Sequence, residues 1–150
     1  LLYHLDAPFK FLENISRLCN GFMLLDTHVA LREESSTGDW KPDLSPMKKF
    51  KVGKKTYEGR LYREFNADTA QLTKDLSITA SLKNEFSAWL TEDSLVSLLR
   101  DVGFEQVSKI VFPERENAWW SDTKANARVL MLAVKKRDPF RSRISSDWGD

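Results

Sequence analysis

Two short apolar runs, Leu1-Leu2-Tyr3-His4-Leu5 and Phe22-Met23-Leu24-Leu25-Asp26-Thr27-His28, flank the most informative segment of the chain. Between them, apolar residues recur at helical spacing: Phe9, Leu12, Ile15, Leu18 and Cys19. Asp6 is predicted to cap this helix, Pro8 to lie in its first turn and Gly21 to stop it. Because neighbouring parallel strands need a crossover connection, this strand–helix–strand order predicts an α/β fold built on a parallel pair.

The stretch from about residue 31 to 87 has a different character and is interpreted as an insertion. Turn-forming residues interrupt it, and neither helical nor strand periodicity persists. Within it, 48–52 and 56–65 alternate in part around Gly53-Lys54-Lys55, which predicts a β-hairpin.

A second helix follows the insertion. Thr91 is predicted to cap it and Gly103 to end it, with one apolar stripe: Leu95, Leu98, Leu99 and Val102. Residues 106–112 and 129–134 read as strands, and the apolar run of the second is typical of a strand covered on both faces. We therefore expect a domain over 1–136 and a polar tail over 137–150.

Composition narrows the functional classes. The 150 residues carry a net charge of +1, so an attraction to nucleic acid would have to be local, and a single cysteine excludes an internal disulfide. No His/Cys cluster has zinc spacing, so no metal site is predicted. No run is long and apolar enough for a membrane span, and a cytoplasmic protein without membrane contact is expected.

Two blocks of sequence resemble the C-terminal half of a class I S-adenosylmethionine-dependent methyltransferase. The opening Leu1-Leu2-Tyr3-His4-Leu5-Asp6-Ala7-Pro8 is similar to the segment at the fourth strand of that fold. Trp89-Leu90-Thr91 and the stripe leading to Val102-Gly103-Phe104 resemble the late helix before strand six. The resemblance implies a partial Rossmann-like fold holding strands four to seven, with the last strand antiparallel and a hairpin-bearing insertion after strand five.

Within that superfamily, the chain most resembles enzymes that carboxymethylate the wobble uridine of transfer RNA. The likeness rests on Tyr3 near the N-terminal end of the chain and on Arg128 before the last strand. The resemblance implies that both residues contact the cofactor, S-adenosylmethionine or its carboxylated analogue. The resemblance does not identify the substrate, which we expect to be a small molecule or transfer RNA. An arginine suits a carboxylate because it can bind it in two-pronged fashion.

The glycine-rich cofactor loop of that fold is absent, because the six glycines contain no Gly-x-Gly. Leu1 is also not an initiator methionine. The resemblance therefore implies that the N-terminal half of the same domain is missing, and we expect this piece alone to be inactive.

Ligands in open α/β sheets bind outside the carboxyl ends of the strands. His4, Asp26 and His28 lie at such predicted ends and are the catalytic candidates, while Trp119 and Trp120 are candidates for substrate binding. Each has a structural alternative. Tyr3 could be a packing residue without a role in binding, and each histidine could have only a hydrogen-bonding role. Asp26 could only cap the following loop, and Arg128 could only form an ion pair. A tryptophan could only anchor its loop to the core.

A competing function is a non-catalytic, methyltransferase-like module that docks RNA through residues 48–63. Basic side chains are interleaved there with Phe50, Tyr57 and Tyr62: Lys48, Lys49, Lys51, Lys54, Lys55, Arg60 and Arg63. Lysines could hold the phosphate backbone and aromatic rings stack a base, although solvent-facing hairpins are also often rich in lysine.

Overall fold

The computed structural model describes residues 2–33, 43–65, 69, 84–111 and 127–136, which form two helices and two antiparallel sheets. In chain order the elements are α1 (Pro8–Leu18), β1 (Phe22–His28), β2 (Lys48–Val52), β3 (Lys55–Arg63), β4 (Phe86–Leu90), α2 (Glu92–Asp101), β5 (Phe104–Ile110) and β6 (Arg128–Lys135). The first sheet has the order β1-β6-β5 and the second the order β2-β3-β4.

The last strand is antiparallel, as predicted, and it lies between β1 and β5. Its residues alternate between buried and half-buried, because only one face of the first sheet is packed against the helices. On that face, Met131 is in the same core as Leu12 of α1 and Leu99 of α2. The expectation that β6 is fully covered on both faces is therefore wrong.

The opening run is a short 3-10 helix over Leu2–His4, so the predicted first strand is wrong. The Leu5 amide donates to the Leu2 carbonyl over 3.1 Å, and the Leu5 carbonyl accepts from Ala88. Among the described residues, β1 pairs with β6 and no parallel pair forms. The backbone of the segment is satisfied partly within the 3-10 helix and partly by β4.

Helix α1 begins and ends differently from the prediction. Its N-cap is Ala7, without a side-chain cap, whereas Pro8 does occupy its first turn. The helix ends at Leu18, before Gly21. At its far end the Ser16 hydroxyl donates to the Val102 carbonyl and accepts from the Lys135 ammonium, which ties α1 to the end of α2 and to β6.

The predicted hairpin and second helix are confirmed. Gly53, with a φ of +59°, begins the turn between β2 and β3, where a side chain would be strained. The Thr91 hydroxyl accepts from the Ser94 amide at the start of α2, and Gly103 follows its end with a φ of +101°. Strand β4, which pairs with β3, was not predicted.

Part of the exposed face of the first sheet is apolar. Phe22 and Leu24 of β1 are 65% and 57% exposed, and in register they lie beside Val134 and Leu132 of β6.

In the described part of the chain, no helix is long and apolar enough to cross a membrane.

Candidate functional site

Five of the predicted site residues lie close together at one edge of the first sheet. Strand β1 ends at His28, which is paired with Arg128 at the start of β6, because antiparallel neighbours bring a carboxyl end and an amino end together. The 3-10 helix carrying Tyr3 and His4 contacts β1 and β4 at this edge. Asp26, two residues before His28, is on the same face of β1. All five predicted residues are therefore neighbours, and their roles stay predictions.

Four rings form what we call the aromatic cluster: Tyr3, His28, Tyr62 and Trp89. Trp89 is only 2% exposed. The His28 and Tyr62 rings stack on it at 4.8 Å and 4.7 Å between centroids, and its indole N–H donates to the Tyr3 carbonyl over 2.8 Å. The Tyr3 ring meets His28 edge-on at 4.6 Å. The catalytic candidate His28 is thus held among rings.

Trp89 and Tyr62 were not predicted as site residues. Both come from the second sheet, and no local spacing connects them to His28. Burial raises the pKa of the Tyr62 hydroxyl, and the nearby carboxylates of Asp43 and Glu64 raise it further. Tyr62 therefore keeps its proton at neutral pH.

Arg128 binds Asp26 in the two-pronged geometry of a strong ion pair. Its Nε and Nη2 donate to the two carboxylate oxygens, each over 2.7 Å. The hydrogen bond to Asp26 raises the pKa of Arg128, burial lowers it, and the negative charge of Asp26 raises it further. This is the ion-pair alternative considered for Arg128, and it also occupies the carboxylate of the catalytic candidate Asp26.

His4 has a buried carboxylate as its partner. Its Nδ1 lies 3.1 Å and 3.2 Å from the two oxygens of Glu64, whose side chain is 1% exposed. The Ser87 hydroxyl donates to the same carboxylate. Asn84 joins the group, because its amide donates to the His4 carbonyl and to the Ser87 hydroxyl. Sequence reasoning missed Glu64, which lies 60 residues from His4.

Some residues of the basic and aromatic cluster of the hairpin are buried or paired in the fold, and others remain exposed. Tyr57 is buried, and its pKa is raised to about 12 by burial and by its hydrogen bond to Asp101. Arg60 is also buried and donates to three backbone carbonyls. Lys55 pairs with Asp101. Three lysines of edge strand β2 remain exposed, namely Lys48, Lys49 and Lys51.

Two predictions lie outside the described residues. Trp119 and Trp120 are there, so their substrate-binding role stays a prediction, and so does the tail over 137–150. Across the described ranges, no three His, Cys, Asp or Glu side chains are grouped so that they could hold a metal ion.

Two solved structures have a similar fold. One is the N-terminal domain of EvdMO1 in the presence of SAH and D-fucose, with 16% identity and a TM-score of 0.53. The other is that domain with SAH bound, with 18% identity and a TM-score of 0.53. The chain shares the fold of this domain.

The match covers 91% of this chain but only 44% and 43% of those chains, so the chain spans less than half their length. No protein-family model matches the chain. No curated protein matches it in sequence. The proposed likeness to the enzymes of the transfer RNA wobble uridine has no support among these matches.

Proposed function

We propose that the protein is an S-adenosylmethionine-dependent methyltransferase, of which this chain supplies the acceptor side of the catalytic domain. The observation that carries the proposal is the fold shared with a domain solved with SAH, the product that S-adenosylmethionine leaves after methyl transfer. The placement of the predicted residues at the carboxyl end of β1 supports it, because ligands bind at that edge in open α/β sheets.

The chemistry of the site fits a sulfonium cofactor. When bound, S-adenosylmethionine supplies an electrophilic methyl group on a positively charged sulfur. Aromatic faces attract such cations, and the aromatic cluster offers them beside Tyr3. The positive charge of Arg128 is balanced by Asp26, so the site does not repel a second cation. We propose that Tyr3 and Arg128 lie against the cofactor, with the charge of Arg128 neutralised by Asp26.

The pairing of Arg128 favours the unmodified cofactor over its carboxylated analogue. Nε and Nη2 of the Arg128 guanidinium already donate hydrogen bonds to Asp26. An added carboxylate would compete with Asp26 and would meet its negative charge. We therefore propose S-adenosylmethionine itself.

We also propose that the rest of the catalytic domain covers the apolar face of the first sheet. Exposed residues such as Phe22 and Leu24 form a contiguous patch with their β6 neighbours, and such patches mark surfaces that pack against another part of a protein. The similar structures are more than twice as long as the matched region, which leaves ample chain for this layer. Tests of function accordingly use the full-length protein.

S-adenosylmethionine and SAH are expected to stabilise the full-length protein against heat. Ligand at 100 times its dissociation constant adds about 2.7 kcal/mol to the free energy of unfolding. We expect Tyr3→Phe to weaken this stabilisation, whereas Tyr57→Phe, outside the aromatic cluster, should leave it intact. The carboxylated analogue should stabilise less than S-adenosylmethionine. The measurement is the unfolding temperature with each ligand, with adenosine as the control.

If neither S-adenosylmethionine nor SAH at millimolar concentration raises the unfolding temperature, the methyltransferase proposal is overturned. A larger shift with the carboxylated analogue would overturn only the choice of cofactor.

The second candidate function is RNA docking through the exposed lysines of β2. Lys48, Lys49 and Lys51 line an edge strand, and no ion pair to them is found within the described segments. The burial of Tyr57 removes one ring that was expected to stack a base. The remaining attraction would be electrostatic and independent of sequence.

If this surface docks RNA, the triple variant K48Q/K49Q/K51Q should bind a single-stranded oligonucleotide more weakly. The slope of log affinity against log salt should fall by about two, because each lost phosphate contact contributes about 0.7. Fluorescence anisotropy at several salt concentrations measures this. K10Q/K136Q is the control on other exposed lysines. Equal binding by the wild type and the triple variant would reject the candidate.

A further inference from the structure

The contact between His4 and Glu64 sets the tautomer of an imidazole at the candidate site. An ionised carboxylate only accepts hydrogen bonds, and Glu64 receives one from Ser87 and one from Nδ1 of His4. In the neutral ring, the proton must therefore be on Nδ1. The lone pair is then on Nε2, for which the described residues show no hydrogen bond.

His4 lies at the candidate site with its ring partly accessible. It is 22% exposed, whereas its carboxylate partner is 1% exposed, so the ring is reachable and its orienting group is shielded. The neighbouring Tyr3 ring lies 4.2 Å from the His4 ring and 4.6 Å from the His28 ring at the end of β1. A base with one nitrogen fixed by a carboxylate and the other nitrogen available is the arrangement that general-base catalysis requires.

We propose that His4, oriented by Glu64, is the general base that deprotonates the methyl acceptor, and that the acceptor is an alcohol. This inference rests on the proposed methyltransferase function. The hydroxyl proton passes to Nε2 of His4, and the oxygen forms a bond to the methyl carbon. The carbon–sulfur bond breaks, and its electron pair stays on sulfur. The imidazolium then returns its proton to water.

The charges around the site favour an alcohol over an amine or a thiol. A thiol loses its proton at about pH 8.5 and needs little help, whereas a hydroxyl keeps its proton far above that pH and needs a base. An ammonium group would need a carboxylate partner. Asp26 is bound by Arg128, and Glu64 is bound by His4 and Ser87.

The first test reads the tautomer directly and requires no turnover. In ¹⁵N NMR of the full-length protein, with the His4 signals assigned by their loss in His4→Gln, Nε2 should be the unprotonated nitrogen at alkaline pH. Glu64→Gln should shift the ring toward the Nε2-protonated form, and Glu64→Asp should restore the wild-type tautomer in part. An Nε2-protonated ring in the wild type, or a tautomer unchanged in Glu64→Gln, would overturn the role of Glu64 as a positioning residue.

The second test reads the acceptor class. D-glucose and catechol are offered with their amine counterparts, D-glucosamine and 1,2-phenylenediamine, and mass spectrometry and NMR identify the O-methyl or N-methyl product. We expect O-methyl products only, with kcat lowered about 10²- to 10⁴-fold in His4→Gln. Transfer to nitrogen, transfer to none of the four, or an unchanged kcat in His4→Gln would overturn the inference.

The two proposals fail separately. His4→Gln should keep the stabilisation by S-adenosylmethionine, because the base does not hold the cofactor. If the wild type shows no stabilisation, methyl transfer itself is rejected. If S-adenosylmethionine stabilises the wild type but the tautomer or the product differs from the expected one, only the general-base inference is rejected.

Discussion

Replacing Trp89 with alanine is expected to cost about 3–5 kcal/mol of the free energy of unfolding, the usual range for a buried tryptophan. The indole is 2% exposed and carries the stacked rings of His28 and Tyr62. Its removal leaves a cavity between the two sheets and leaves the Tyr3 carbonyl without its donor. Chemical denaturation of the variant and the wild type measures the loss.

Trp89→Phe separates packing from hydrogen bonding. Phenylalanine keeps an aromatic ring but has no N–H, so we expect it to lose less than half as much stability as alanine does. Because Trp89 holds the backbone of Tyr3, Trp89→Ala should also abolish stabilisation by S-adenosylmethionine in any protein that remains folded. A loss below about 1 kcal/mol in Trp89→Ala would contradict the central position of this ring.

Gly59→Ala is the second substitution with a large expected effect. A Cβ at this position would overlap the Trp89 carbonyl oxygen and would lie 3.0 Å from the Leu90 Cα and 3.1 Å from the Phe50 ring. Two of these neighbours are backbone atoms of β4, which cannot rotate away. We expect a loss of at least about 2 kcal/mol, within the range for overpacked sites. For a protein of this size that lowers the unfolding temperature by roughly 4–8 °C.

Gly21→Ala is the matched control. No atom lies within 4 Å of a Cβ at that position, and its φ needs no glycine. We expect its stability to remain within about 0.5 kcal/mol of the wild type, as for most surface substitutions. Thermal unfolding of the two variants side by side gives the comparison. If Gly59→Ala unfolds at or above the wild-type temperature, the close approach of β3 to β4 is wrong.

The elements that were predicted well depend on signals within a few residues. Thr91 and Gly103 bound α2 because a capping hydroxyl and a positive φ act locally. Gly53 marks the hairpin turn for the same reason. The apolar run of β6 predicted a strand, and the resemblance predicted its antiparallel direction.

The errors arise where distant residues compete for hydrogen bonds. The run over 1–5 has strand-like composition, but the segment forms a 3-10 helix, and two of its carbonyls accept from Ala88 and Trp89 of β4. Strand β4 carries no clear alternation of its own, since four of its five residues are buried. It is a strand because β3 pairs with it.

At the site, too, local signals could be predicted from the sequence and long-range partners could not. Asp26 and His28 could be named from the chain because residues at strand ends meet at one edge of a sheet, and Tyr3 and Arg128 could be named from the resemblance. His4 was named for the end of a predicted strand that is a 3-10 helix, and it lies at the same edge. By itself the sequence determined that α1, α2 and the hairpin turn form, and it named five of the side chains that gather at that edge. Only the tertiary structure decided their partners: Asp26 for Arg128, Glu64 for His4 and Trp89 for His28. The physical reason is range, because capping and periodicity act over one turn or strand, whereas these pairs join residues about 60 to 100 positions apart.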